Sequence, residues 1–170
     1  MPISQRAIEV HSLIFCPYDD PTTELKNTYD DWLLLPSKKP VIVLPPVRTN
    51  FVEVMGMNGT LDTSGILDTS TQVYENKKPT YGMRESSIEF YIPEYKQNVT
   101  FESLKRSIAS FLHGKNLSVK LASDPNYYYR GRWEVNEAHT DEHWSMITID
   151  YHLEPPAYSV SNPGVDTGTL

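Results

Sequence analysis

The chain carries a single cysteine, Cys16, in 170 residues. One thiol excludes an intramolecular disulfide framework, a thiolate zinc cage and a Cys-x-x-Cys redox pair, so folding has to rest on burial. No apolar run approaches the roughly 18–20 residues that a membrane-spanning helix needs. The opening Met1-Pro2-Ile3-Ser4-Gln5-Arg6 lacks the apolar core of a secretory signal, so synthesis in the cytoplasm without membrane insertion is expected. Positive charge is also scarce: 15 Lys and Arg against 22 Asp and Glu leave a formal net charge of -7. Such a balance offers little to neutralise phosphate, so specific nucleic-acid binding is not expected, and an anionic membrane surface repels the chain. Phosphate-cradling glycine loops, a Gly-x-Ser-x-Gly elbow and a dinucleotide fingerprint are all missing.

What remains is a globular composition, with 39% hydrophobic, 11% aromatic and 22% charged residues. The length suits one domain, read here as residues 1–156, with a flexible C-terminal tail over 157–170. Thirteen prolines against eight glycines sit between short apolar runs and punctuate them. Val41-Ile42-Val43-Leu44, Phe51-Val52-Glu53-Val54, Ser87-Ile88-Glu89-Phe90-Tyr91-Ile92 and Leu117-Ser118-Val119-Lys120-Leu121 are β-branched or aromatic and read as strands.

The strongest local pattern is a hairpin. Tyr129, Trp133 and Val135 share one face of its first strand, Arg130, Arg132 and Glu134 the other, and Ile147, Ile149, Tyr151 and Leu153 alternate on the return. Ala138-His139-Thr140-Asp141-Glu142-His143 is the polar connection between them. Phe101, Leu104, Ile108, Phe111 and Leu112 instead fall at helical spacing, behind Thr100 as N-cap and ahead of Gly114 as the C-terminal stop. The fold class expected is therefore mainly β (α+β): an antiparallel sandwich or barrel-like sheet with one packed amphipathic helix. A long Gly-, Ser-, Thr- and Asp-rich loop over 56–72 completes the reading.

The chemical candidates are weak. His139 and His143 flank Asp141 and Glu142, but they lie at a predicted hairpin tip without a His-Glu-x-x-His pattern or a third ligand, so no metal site is assigned. Cys16 lies in Leu13-Ile14-Phe15-Cys16-Pro17, an apolar setting that raises a thiol pKa. Asp19-Asp20 and Asp30-Asp31 are adjacent pairs whose side chains diverge, unlike the converging acids of a glycosidase. No catalytic residue and no cofactor is assigned. Tyr127-Tyr128-Tyr129 with Trp133 and Trp144 would suit a sugar-stacking platform, or ordinary cross-strand packing.

Longer phrases say more. Asn27-Thr28-Tyr29-Asp30-Asp31-Trp32-Leu33-Leu34-Leu35-Pro36, Pro45-Pro46-Val47-Arg48-Thr49-Asn50-Phe51-Val52-Glu53-Val54-Met55-Gly56-Met57-Asn58-Gly59-Thr60-Leu61-Asp62 and Tyr81-Gly82-Met83-Arg84 come first. Phe111-Leu112-His113-Gly114-Lys115 and Asp124-Pro125-Asn126-Tyr127-Tyr128-Tyr129-Arg130-Gly131-Arg132 follow in order. Together, over roughly 27–155, they resemble the distal tail (Dit-like) proteins of phages of Gram-positive hosts.

The resemblance implies a β-sandwich ring domain with a packed helix and a structural virion role rather than an enzymatic one. Six copies would form a ring joining the tail tube to the baseplate and adsorption apparatus, with tail-tube and tail-tip hub proteins as partners. Location would be the virion tail, reached from the host cytoplasm, and an acidic lumen would let DNA slide past. Many members add a galectin-like domain, for which the residues after Pro156 are too few, so sugar or receptor binding is not carried over.

A tail tube or tail terminator subunit is the alternative within the class, and a carbohydrate-binding β-sandwich the alternative outside it. As assembly contacts the sequence offers Met57, Asn58, Leu61 and Asp62 in the loop and His139, Asp141 and His143 at the hairpin tip, because loops on a rigid sheet usually carry contacts.

Overall fold

The computed structural model describes residues 11–48, 51–53, 60–62, 80–93, 99–140 and 145–161. Its elements in chain order are β1 (Leu13–Cys16), β2 (Lys26–Asn27), β3 (Leu35–Pro36), β4 (Val47–Arg48), β5 (Phe51–Glu53), β6 (Thr60–Asp62) and β7 (Thr80–Tyr81). They continue with β8 (Arg84–Ile92), helix α1 (Phe101–Leu112), β9 (Lys115–Leu121), β10 (Asp124–Thr140), β11 (Ser145–Leu153) and β12 (Tyr158–Ser159).

The alternation along β10 and β11 does what the sequence pattern requires. Trp133 pairs with Tyr151 and Gly131 with Leu153, and every second residue of β11 from Ser145 to Leu153 is buried. A register shift between Val135 and Glu137 accommodates one extra residue on β10. The strands run to Thr140 and resume at Ser145, so His139 is a strand residue opposite Met146 and not part of the connection. The neighbours on either side, β9 against β10 and β8 against β11, are antiparallel too.

The main sheet has eight strands, in the order β2-β1-β9-β10-β11-β8-β3, with β12 as a further partner of β10. Strands β2 and β3 stand at opposite ends of that order, yet only residues 28–34 separate them in the chain. Laid flat, seven strands would hold their outer members about 29 Å apart. The connection would have to be fully extended to span that distance. It is instead folded by hydrogen bonds from Asp31 N to Asn27 O, Leu33 N to Tyr29 O and Leu34 N to Thr28 O. The sheet must therefore curl until its edges approach, an open barrel in which the connection bridges the gap. Leu33 takes a left-handed φ of 51° at this bridge, which lets Trp32 and Leu34 on either side both turn inward and bury.

The helix closes the core. Thr100 Oγ1 accepts the Ser103 N–H, Glu102 lies in the first turn, and Gly114 beyond the last turn has φ +75°, where a side chain is strained. Leu104, Ile108 and Leu112 are buried along one face. Phe111 packs edge-on against Phe15 of β1 and Trp32 of the bridge, with ring centroids 6.2 and 5.5 Å apart. Phe15 in turn meets Trp133 edge-on at 5.0 Å. Each such large side chain removed from water contributes about 1.5–3 kcal/mol.

Three expectations change here. The run Val41-Ile42-Val43-Leu44 forms no strand, for reasons taken up below. Part of the supposed loop over 56–72 is ordered, since β6 pairs with β5 as Phe51↔Asp62, Val52↔Leu61 and Glu53↔Thr60. The supposed tail from 157 onward begins as structure: Ala157 is buried and β12 pairs with β10 through Tyr127↔Ser159 and Tyr128↔Tyr158. Small polar residues need only a strand edge with free N–H and C=O groups to join a sheet, and the first residues of β10 provide one.

Candidate functional site

Among the described residues no group of three or more His, Cys, Asp or Glu side chains comes together as a metal site would require. Cys16 is fully buried in β1, and its burial pushes the thiol pKa up, so it is a poor nucleophile. Two of the five rings of the possible sugar platform are out of a ligand's reach. Trp133, at 0% exposure, is held between Phe15 and Tyr151 inside the barrel, and Tyr128 is equally buried, so neither offers a face to a ligand.

Of the assembly candidates, His139 is exposed on β10, and Leu61 and Asp62 are placed as backbone in β6, opposite Val52 and Phe51. Met57, Asn58, Asp141 and His143 lie outside the described residues, as does Trp144. No surface carrying all of the candidates can be drawn from the described residues.

Two constellations that the sequence did not single out dominate the surface architecture. The first surrounds Arg130 on the outer face of β10. Its guanidinium stacks on Tyr18, Tyr128 and Tyr158 at 5.4, 5.4 and 4.6 Å from the ring centroids, and Nη2 donates to Tyr128 Oη at 3.0 Å. The hydroxyls of Tyr18 and Tyr158 both donate to the carboxylate of Glu154. The hydrogen bond to Glu154 raises the Tyr18 pKa, and burial followed by the same carboxylate raises that of Tyr158, so both phenols stay protonated through neutral pH. The cluster fastens β12 and the β1–β2 loop to β10. Beside it, a shallow depression of about 490 Å³ opens over Gly131 between Tyr18, Asn116, Arg132, Glu134 and Glu154, with charges of both signs.

The second constellation is the strap of residues 37–46 between β3 and β4. It follows the outer edge of β8 antiparallel: Leu35 faces Tyr91, Ser37 N donates to Glu89 O, Gly82 N donates to Pro46 O, and Val47 faces Tyr81. The strap is thus an edge strand in position, and Pro40, Pro45 and Pro46 prevent a continuous ladder. In place of the ladder, two buried side chains grip its backbone. Tyr151 Oη accepts the Val43 N–H at 3.1 Å, and Arg84 Nη1 donates to Val43 O at 2.8 Å.

Arg84 is 1% exposed. Its Nε donates to Pro155 O at 2.8 Å, the group lies 5.3 Å from the Tyr129 ring centroid, and Nη2 has no partner. No carboxylate among the described residues pairs with it, and burial lowers its pKa. An unpaired buried cation is costly, by several kcal/mol before its hydrogen bonds offset part of that. This one holds the strap with Pro40, Ile42 and Pro45 inward and Val41, Leu44 and Val47 outward, at 63%, 71% and 57% exposure.

Among solved structures, known proteins share this fold. The crystal structure of the Dit protein of phage SPP1, described as a paradigm of the hub adsorption apparatus in phages that infect Gram-positive bacteria, shares the fold. The superposition has a TM-score of 0.56 and 14% sequence identity over 87% of this chain. This chain spans 51% of that one. No protein-family profile matches, and no curated protein matches by sequence. The likeness is one of fold, a Dit-like sheet and helix, and it agrees with what the ordered phrases of the sequence imply.

Proposed function

We propose that this chain is a structural component of a phage tail, and that six copies assemble as a ring at the distal end, joining the tail tube to the adsorption apparatus. The fold shared with SPP1 Dit over 87% of this chain carries the reading. The ordered phrases between Asn27 and Pro155 support it independently of the fold. A ring of identical subunits needs heterologous contacts, in which two different surfaces of one chain meet. An open sheet with two-residue strands at both ends suits that requirement, because short edges discourage indiscriminate pairing while leaving side chains to specify the neighbour. The role is one of shape, and no residue is assigned to catalysis.

The test is native mass spectrometry of the purified chain over a concentration series, with negative-stain imaging of the dominant species. A closed hexamer is expected. Long tubes would replace this reading with that of a tail tube subunit. A strict monomer that also fails to form rings on purified tail tubes would refute it.

A further inference from the structure

The strap and the first residue of β4 expose three large apolar side chains, Val41, Leu44 and Val47, at intervals of three residues. On a proline-punctuated segment this spacing is the one that the threefold period of a polyproline-type chain would gather into a single ridge. Such a ridge on a protein surface is a recognition feature when its backbone is fixed, and here Arg84 and Tyr151 fix it from within. Charge then identifies what it fits. Lys38, Lys39 and Arg48 bracket the ridge, all three are exposed, and residues 37–48 contain no carboxylate. None of the three enters an ion pair among the described residues. In a chain of net charge -7 this is a local reversal of sign.

The opposite composition occurs at the β1–β2 end of the sheet. Residues 19–31 carry Asp19, Asp20, Glu24, Asp30 and Asp31; Asp31 pairs with Lys26 and Glu24 with Lys120, which leaves Asp19, Asp20 and Asp30 in excess, and Leu25 stands exposed among them at 42%. Thr22 and Thr23 hydrogen-bond the Asp20 carboxylate and hold its pKa down at about 2, so it stays charged. One surface has an excess of positive charge along an apolar ridge, with Glu89 adjoining Lys38 and Lys39, and another is acidic with an exposed apolar residue among its charges.

We infer that the strap of one copy docks against the acidic β1–β2 region of the next, so that the partner of the ridge is a second copy of this chain. The contact is heterologous, since strap meets loop and never strap, and it therefore propagates around a ring instead of stopping at a pair. This rests on the ring reading above and names the surfaces that would make it. The edge prolines and the ridge have one purpose in this arrangement: the prolines withhold the backbone ladder, and side chains of matched charge choose the neighbour.

Two measurements test it. In a mixture of unlabelled and 15N-labelled chain treated with a zero-length carbodiimide crosslinker, Lys38 and Lys39 are expected to couple to carboxylates of residues 19–31 in the other copy. Inter-chain couplings that avoid these positions would overturn the inference. The second measurement is self-association by sedimentation, with circular dichroism confirming the fold of each variant.

Leu44→Asp with Val47→Asp is expected to weaken association roughly a hundredfold, as loss of two central apolar contacts does. Lys38→Glu with Lys39→Glu, and Asp19→Lys with Asp30→Lys, should each weaken it by roughly tenfold or more, and combining the two reversals should restore most of the loss. Folded variants that associate as the unaltered chain does would overturn the strap contact while leaving the ring standing. An unaltered chain that never self-associates would overturn the strap as a self-contact, whereas the ring reading falls only with the failure on tail tubes stated above.

Discussion

Replacing Gly131 with alanine should destabilise the protein severely, because the added Cβ has no space, on top of a φ of +159° that L side chains rarely adopt. A Cβ built at Gly131 would lie 2.1 Å from His152 O, 2.7 Å from Leu153 Cα and 2.9 Å from His152 C. All three are backbone atoms of the paired strand β11, so no side chain can swing aside; the two strands must separate at the Gly131↔Leu153 pair. That displacement reaches Trp133 and Arg84, whose neighbours are set by the same register. Ordinary overpacking in a core costs about 1–3 kcal/mol when side chains can adjust. With rigid backbone the cost should exceed about 4 kcal/mol. For a domain of this size that lowers the melting temperature by at least about 8–16 °C.

Gly114 supplies the internal control. It too has a positive φ, at +75°, but nothing lies within 4 Å of a Cβ there, so Gly114→Ala meets only the left-handed torsional cost of about 1–2 kcal/mol. The assay is thermal unfolding followed by far-ultraviolet circular dichroism, run on both variants and the unaltered chain. A Gly131→Ala protein that melts at or above the temperature of Gly114→Ala would refute the argument from close backbone approach.

Further outcomes follow from individual contacts. Arg84→Lys keeps a positive charge but can serve only one of Val43 O and Pro155 O, so it should cost about 2 kcal/mol in urea unfolding and raise proteolytic cleavage within residues 37–46 under native conditions. Thr100→Ala removes the N-cap of α1 and should cost about 0.5–1 kcal/mol, at the low end because the bond to Ser103 N is 3.4 Å long. The lowered pKa of Asp20 means that the unfolded state takes up a proton before the folded state does. Its stabilising part is present above the ordinary value of 3.8 and is lost as the pH falls through about 2. The melting difference between the unaltered chain and Thr22→Val/Thr23→Val should therefore shrink over that interval, and a difference independent of pH would contradict the assignment.

The parts of this fold that were legible in the sequence are those in which one periodicity runs long enough to override its neighbours. The alternation through Tyr129, Trp133 and Val135 with its return in Ile147–Leu153, and the helix from Thr100 to Gly114, correspond to observed elements. Val41-Ile42-Val43-Leu44 has equal β propensity, but Pro40, Pro45 and Pro46 deny it a ladder, and its fixing depends on Tyr151 and Arg84, about 110 and 41 residues away in the chain. Arg84 itself could not be picked out, since an arginine in a strand reads as solvent-facing unless its carbonyl partners are known. Tyr158 and Ser159 have a tail-like composition and became a strand only because β10 extends past the end of β11. Of the aromatics read as a possible ligand platform, Trp133 turned inward because β1 and α1 bring Phe15 and Phe111 to the sheet face it occupies, while Tyr128 is covered on the other face by Arg130 and Tyr158.

The sheet order has a consequence for synthesis. Strand β1, made early, pairs with β9, and Leu13 finds Leu121 only after the intervening chain has been translated. At about 5–20 residues per second this leaves Leu13 and Phe15 without their β9 partners for on the order of 5–20 s. The three strands β9, β10 and β11 are consecutive and can assemble as a meander when they emerge, with β8 joining β11 across the helix. The contacts of greatest sequence separation, β1 with β9 and β3 with β8, are thus expected to form late, on both flanks of a sheet whose centre is a local meander.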